Sequence, residues 1–437
     1  MSEIAARLSD VLGDEQGLPW AAIAPTQQQQ IMAALATDRP PDYLALPDTL
    51  AQLTEVMSLV ADKGWRMLPM GQGSKLSWGG LAEGIDVVVS TARLNRVIDH
   101  AVGDFTVTVE PGLKVADLQR ILAAEGQFLA VDPAFAEQAT VGGIVATADT
   151  GSLRQRYGGL RDMLIGVAFV RYDGKVAKAG GRVVKNVAGY DLMKLMTGAY
   201  GSLGVLSKLT FRLYPAQKNA RTVVLAGETS TVEQAAAQIR LSGLTPVALD
   251  ILSAALAQDL GLARSEQTPL SLVARFQGVA AGVDEQTERL QEIAATHRLS
   301  CELLEAADDD AFWRRSRDTL KSDTVLAKVG MRPSAIPAFL TLLSSAVPDG
   351  QARLYGSSGL GWVQLTAKDD LTSPLKALRS HCQTNGGFLS LLQAPKSLKQ
   401  AVEVWGYSGD ALGVMREIKQ KFDPARSLSP GRFVGGL

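Results

Sequence analysis

The residue type that carries most chemical information in this chain is glycine. Between Thr140 and Pro215 it recurs at Gly142-Gly143, Gly151, Gly158-Gly159, Gly180-Gly181, Gly189, Gly198, Gly201 and Gly204. An ordered glycine costs chain entropy, so such density points to backbone lying against a flat ligand or turning through positive φ. For any single glycine, a turn in an α/β domain explains it equally well. A second cluster lies upstream, Pro69-Met70-Gly71-Gln72-Gly73-Ser74-Lys75-Leu76, followed by Ser77-Trp78-Gly79-Gly80. A Gly-x-Gly-Ser-Lys turn can aim successive N–H groups, a hydroxyl and an ammonium at a diphosphate. It has neither the Gly-Lys-Ser/Thr ending of a P-loop nor a GxGxxG opening a helix, so alone it is a weak signal.

Other chemistries are thinly supplied. His100, His297 and His381 are isolated, without HxH, HxxxH or HExxH spacing, and no metal site is expected. Cys301 and Cys382 cannot build an iron–sulfur cluster, and their separation argues against a redox pair. The 44 basic and 45 acidic residues nearly cancel, so no global field draws the chain to nucleic acid. The N-terminal stretch is amphipathic and acidic, without a signal-peptide pattern, and no run approaches a membrane span. The expected location is cytoplasmic, with peripheral attachment at the inner face of a membrane through a partner left open.

At 437 residues the chain should form two or more domains. Residues 1–38 read as a helical extension, and Asp38-Arg39-Pro40-Pro41-Asp42 as a linker. Helical patterns follow at Asp48–Lys63 and Val115–Glu125, the latter with Val115, Leu118, Ile121 and Leu122 on one face. Strands are expected at Thr106–Glu110, Leu164–Tyr172, Lys175–Ala179 and Val205–Tyr214, with Asp173-Gly174 as a hairpin turn. After Pro215, eight strand patterns between Arg221 and Leu392 are interleaved with five helical ones, which argues for a second domain around one main sheet. Ala411–Phe422 reads as a last helix before the tail Ser429-Pro430-Gly431-Arg432.

The order PMGQGSKLSWGG, EPG at Glu110–Gly112, VDP at Val131–Pro133, TVGGIVA and GSLGVL resembles the FAD-binding domain of the vanillyl-alcohol-oxidase/PCMH flavoproteins. KFDPARSLSPGRF is similar to that superfamily's closing motif. Within it, GGRVVKNVAGYDLMKLMTGAYGSLGVL is most similar to the glcE-type second flavin-binding subunit of bacterial glycolate oxidase, a glycolate dehydrogenase. The resemblance covers about residues 40–215 and 415–433. It implies an α+β fold: a PCMH-type FAD-binding domain over 39–216, an α/β cap over 217–405, and a C-terminal helix and tail, 406–437, returning to the first domain. It also implies FAD, with the pyrophosphate against Pro69, Gly71, Gln72, Gly73, Ser74, Lys75 and Leu76. Further contacts are expected from Asp132 and Pro133, from Thr140, Gly142, Gly143, Ala146 and Gly151, and from Val205 on the adenine side. Arg156 and Tyr157 continue that loop toward the ring, and Arg156, Lys185 and Arg432 are candidates for a cation near flavin N1. The binding is expected to be non-covalent, because the pyrophosphate loop contains no histidine.

The departures bear on function. Relatives that oxidise 2-hydroxy acids carry a histidine-rich cap motif, and nothing like it stands here. Ile144 and Ala148 replace asparagines of the flavin loop, and Ser429 replaces the asparagine of the closing motif. Tyr190, Asp191, Lys185 and Asn186 are polar but recur as structure in the superfamily. No catalytic base can be assigned. The expectation is an accessory or electron-relaying FAD subunit of a glycolate dehydrogenase complex, partnered by a catalytic FAD-containing subunit and an iron–sulfur subunit. The alternatives are a stand-alone FAD-dependent 2-hydroxy-acid or alcohol oxidoreductase, and a scaffold that no longer uses flavin.

Overall fold

The computed structural model describes residues 2–13, 15–182, 189–262, 270–367 and 370–437. Its first layer is built on β1 (Gly17–Pro19), β2 (Tyr43–Ala45), β3 (Met67–Met70) and β4 (Val87–Ser90), ordered β1-β2-β4-β3. The apolar run of β4 is buried throughout because parallel neighbours β2 and β3 flank it and helices cover it. The helix Leu50–Asp62 starts where Thr49 Oγ1 accepts from Gln52 N at 3.2 Å. It buries Leu53, Val56, Met57 and Val60, each worth about 2 kcal/mol.

Within the span expected as a helical extension lie the helices Glu3–Leu12 and Pro25–Ala33, with β1 between them. The helix Glu3–Leu12 buries Ile4, Ala5, Leu8 and Leu12 in the core shared with Leu50–Asp62, and β1 pairs antiparallel with β2. A three-residue strand is too short to show periodicity. What holds it is Gly17, where any side chain would overlap the buried Tyr43 ring.

A second sheet contains β5 (Val97–Ala101), β6 (Thr106–Val109), β8 (Leu164–Val170), β9 (Val176–Gly180) and β10 (Val205–Arg212), ordered β5-β6-β10-β8-β9. Between them β7 (Gln127–Phe128) pairs with β11 (Tyr214–Pro215). Gly174, at φ 75°, turns β8 into β9. In the helix Val115–Ala123, Val115, Leu118 and Leu122 are buried, whereas Ile121 is 42% exposed. At 3.6 residues per turn Ile121 lies about 60° beyond Leu118, outside the apolar stripe.

The cap is one eight-stranded antiparallel sheet of β12 (Asn219–Gly227), β13 (Ala248–Ser253), β14 (Leu270–Gly278), β15 (Ser300–Glu305), β16 (Val325–Gly330), β17 (Gln351–Tyr355), β18 (Leu360–Leu365) and β19 (Phe388–Gln393). Its order is β15-β12-β14-β13-β17-β18-β16-β19. Alternation sorts its two faces. Val325, Ala327, Val329, Ala352, Leu354, Val363 and Leu365 enter a core closed by the helices Thr229–Leu241, Ala280–Thr296, Ile336–Ala346 and Thr372–Thr384. The intervening Lys328, Arg353, Tyr355 and Trp362 project to the other face, where the flavin-loop segments lie.

The tail comes back to the first layer. Met67 N donates to Ser427 O at 2.7 Å and Ser429 N to Met67 O at 2.9 Å, extending the sheet past β3. The helix Leu412–Phe422 presents Lys419 inward, and Lys419 Nζ reaches Asp423 at 2.7 Å and the carbonyls of Ser202 and Leu428 at 2.8 Å. Among the described residues no helix is long and apolar enough to cross a membrane. Lys419→Met leaves Asp423 buried without its cation, and should cost about 3 kcal/mol of stability. Thermal unfolding checks this; an unchanged midpoint would mean that the ion pair is idle.

Candidate functional site

Two cavities meet at Thr147, which lines both. The first, of about 800 Å³, is walled by the turn Pro69, Gly71, Gln72, Gly73, Ser74, Lys75 and Leu76, by Thr140, Gly142, Gly143 and Ala146, and by Tyr200, Gly204, Val205 and Arg432. The structure thus brings together most of the residues expected at a cofactor. The turn follows β3 directly, and Gly73 passes through φ 86°. Among the described residues the N–H groups of Gln72, Gly73, Ser74 and Lys75 find no acceptor. Facing them, Thr140 caps the helix Val141–Thr147 by accepting from Gly143 N at 3.1 Å. A side chain at Gly71 would overlap Thr140 Oγ1, and one at Gly142 would press into Pro111. Both glycines are therefore demanded by close approach.

Several expected residues sit elsewhere. The Lys75 ammonium does not face the cavity as a phosphate ligand. It turns back to Ala134 O at 2.6 Å and Asp149 at 3.4 Å, under the Trp78 and Phe135 rings, and burial lowers its pKa. Asp132, Pro133 and Gly151 line the second cavity rather than the first. Asp132 holds the turn there by accepting from Ser152 N at 3.0 Å and Leu153 N at 2.9 Å. Arg156 and Tyr157 lie in a separate groove, because the short helix Arg154–Tyr157 directs the Tyr157 ring onto Phe128 and Tyr214, with centroids at 5.5 and 4.7 Å. Lys185 and Asn186 lie outside the described residues. Asp191 caps the helix Leu192–Met196 and pairs with Arg161, and Tyr190 is exposed. Of the candidate cations, Arg432 remains. It is buried, its Nη2 donates to Trp78 O at 2.7 Å, and its Nη1 has no partner among the described residues. Desolvation pulls its pKa down to about 10.

The second cavity, of about 790 Å³, lies between the flavin-loop segments and the cap sheet. Register aligns Arg353, Trp362 and Lys328 across β17, β18 and β16 on one face. Lys328 Nζ and the Tyr355 hydroxyl line the cavity with no hydrogen-bond or ion-pair partner among the described residues. Arg154 and Arg317 stand at its exposed edge. Burial lowers the Lys328 pKa and raises that of Tyr355 well above its ordinary value. Arg353 is engaged behind them by Ser316 and by Asp250 at 3.8 Å. Ser152 Oγ donates to Asp250 at 2.6 Å, joining flavin loop to cap. Desolvation pushes Asp132 up to about 7 and Asp250 up to about 6.

None of these cap residues was found from sequence. The available signal was a charge inside an apolar strand, in VLAKVG and QARLY, which marks a side chain needing a polar cavity. The histidines stay apart: His100 bonds Gln127, His297 bonds Gln238, and His381 bonds Ala335 O. Among the described residues no group of three or more His, Cys, Asp or Glu could hold a metal.

Residues 41–180 match the family model of the FAD binding domain. Over the whole of both chains, the protein is 29% identical to an uncharacterized FAD-linked oxidoreductase of Mycobacterium tuberculosis. It is 23% identical to the glycolate oxidase subunit GlcD of Bacillus subtilis over 91% of each chain. It is 33% identical to the glycolate oxidase subunit GlcE of Escherichia coli over 38% of this chain and 47% of that one. The solved structure of p-cresol methylhydroxylase with substrate bound superposes with a TM-score of 0.76 at 15% identity, covering 98% of this chain and 96% of that one. The protein has the PCMH-type fold, and its cofactor is FAD. The four free N–H groups of Gln72–Lys75 suit the diphosphate, and the unpartnered Arg432 Nη1 suits an electron-rich edge of the ring system.

Gly71→Val should lower FAD affinity at least tenfold while the chain still folds, read as flavin absorbance retained on purification. Full flavin content would remove Gly71 from the site. An acid whose folded pKa lies above its ordinary value of about 4 destabilises the fold progressively as pH climbs through that window. For Asp250 the loss runs from about pH 4 to about 6. Asp250→Asn, compared with the parent chain by urea unfolding at pH 5 and pH 8, should therefore gain in relative stability at pH 8, on the order of 2 kcal/mol. An equal difference at both pH values contradicts the burial argument.

Proposed function

We propose that this chain is an FAD-dependent oxidoreductase of the hydroxy-acid dehydrogenase type, working as the FAD-binding subunit of a glycolate dehydrogenase complex that converts glycolate to glyoxylate. The observation that carries the reading is the cavity adjoining the flavin cradle. Its walls bring Lys328, Arg154, Arg317 and Arg353 together against Asp132 and Asp149, a surplus of positive charge suited to a carboxylate substrate. The similarity to both GlcD and GlcE supports assembly with a second FAD-containing subunit. An iron–sulfur subunit as the onward electron carrier and peripheral attachment to a membrane through these partners belong to the same proposal.

When bound, FAD would accept the two electrons of the oxidation. The chain's own residues would hold the diphosphate at Gln72–Lys75, place Arg432 beside the cofactor, and present Lys328 and the Tyr355 hydroxyl to the substrate. A second reading, that this chain oxidises the hydroxy acid unaided, is favoured by the same unpartnered Lys328 and Tyr355. The accessory role rests on the missing histidine cluster.

The purified chain should show a flavin spectrum that stays oxidised under anaerobic glycolate and bleaches once the partner subunits are added. Bleaching by the lone chain moves the reading to the stand-alone enzyme. A chain that takes up no flavin defeats both.

A further inference from the structure

The diphosphate turn continues into Ser77-Trp78-Gly79, where three successive carbonyls are held by cations from more than three hundred residues later in the chain. Arg432 takes Trp78 O at 2.7 Å. Lys399, on the short helix Lys396–Ala401 that leads out of the cap, takes the other two, reaching Gly79 O at 2.7 Å and also donating to Ser77 O. Lys399 is 6% exposed, and among the described residues its partners are carbonyls with no carboxylate. The same stretch is tied further by Gly79 N to Leu392 O at 2.9 Å and Gly80 N to Arg432 O at 3.0 Å. Gly79 itself turns at φ 81° with the Trp405 ring against it.

A buried ammonium without a counter-ion is costly unless its protons are fully used and a negative charge comes near. Carbonyl oxygens satisfy the protons but leave the charge. The neighbouring turn, with the N–H groups of Gln72–Lys75, is suited to holding an anion.

We propose that Lys399 is a positioning residue of the FAD cradle: by clamping the carbonyls of Ser77 and Gly79 it orients the N–H groups of Gln72–Lys75 toward the diphosphate, and it couples FAD retention to docking of the segment that leaves the cap. Lys399 touches no wall of the cavity, so it acts through the backbone. Its charged form makes the stronger bonds to carbonyls and favours a nearby dianion. Desolvation, with Arg432 adding to it, pulls the Lys399 pKa down to about 7. Among the described residues, Arg432 from the tail is the charged group that acts on it, and Lys396 on the same helix is paired with Asp38. Affinity for FAD should consequently be highest below pH 7 and fall as pH rises through it.

The test is a titration of the full-length, flavin-stripped chain with FAD, followed by flavin fluorescence from pH 6 to pH 9. The parent chain should lose at least fivefold in affinity across that range. Lys399→Met should weaken binding at least tenfold at pH 6 and flatten the profile, with unchanged circular dichroism. Lys399→Arg should restore affinity to within about threefold while remaining flat, since arginine keeps its charge. Should Lys399→Met fail to fold, the profile of Lys399→Arg decides by itself: a profile as steep as the parent's overturns the proposal. A Lys399→Met chain that binds FAD with the parent's affinity and slope overturns it as well.

Discussion

Burying positive charge beside the flavin cradle is the constraint on which the rest of this structure turns. Lys399, Lys419 and Arg432 are each less than a tenth exposed, and among the described residues Lys419 is the one of the three that meets a carboxylate. Their donors go to main-chain carbonyls of Ser77, Trp78, Gly79, Ser202 and Leu428. Ser77 directly follows the turn that walls the first cavity, and Ser202 lies between its wall residues Gly201 and Gly204, so the end of the chain is tied to segments that wall a site near its beginning. An isolated buried cation would be prohibitive, but one whose protons all go to carbonyls that it ties together offsets part of that cost.

The two cavities divide the chemistry by kind of atom. The first is a backbone surface, glycine-lined and supplied with N–H groups, which suits a ligand that does not change from one turnover to the next. The second is a side-chain surface on the antiparallel sheet of the cap. There the alternation of β16, β17 and β18 sends apolar residues into the helical core and Lys328, Arg353, Tyr355 and Trp362 into the second cavity. Substrate preference in such an arrangement can change by single substitutions on the sheet face without disturbing the cradle. That separation explains why resemblance along the chain is dense around the cofactor turns and sparse through the cap.

What could be read from sequence follows the same division. Glycine clusters are local signals, and Gly71, Gly73, Gly142 and Gly143 fell together as a cavity wall because close approach demands glycine wherever it occurs. The cap strands were legible because β-branched and leucine-rich runs bounded by turns have few alternatives. Side-chain direction was not legible. Lys75 reads as a phosphate ligand by position, yet its four-carbon stem reaches Ala134 and Asp149 instead. Arg156 and Tyr157 adjoin the flavin loop in sequence, but a helical turn sends both into a separate groove, with the Tyr157 ring on Phe128 and Tyr214. The second cavity is assembled from segments some two hundred residues apart, and no periodicity within one segment could announce it.

The missing asparagines take on a different meaning in this light. Ala148, at φ 50°, ends the helix Val141–Thr147, and Ser429, at φ 47°, sits where the tail joins β3. Both are left-handed positions, which asparagine tolerates far better than most residues because its amide can bond locally. The asparagines of the resembled family are therefore explained at these two places by backbone conformation as well as by polarity. Tyr200, at φ 53° against Trp405, is a third such residue, on the wall of the first cavity. Each left-handed non-glycine costs on the order of 1 kcal/mol and persists only where its surroundings over-determine it. Ala148 and Ser429 keep the conformation without the amide, so the path of the cradle is enforced by packing and by the buried cations of the closing segment. Ile144, by contrast, is buried in the apolar core, so that substitution exchanges a polar group for packing. At Ala148, Ser429 and Ile144 the sequence keeps the backbone path and the apolar packing without the amides.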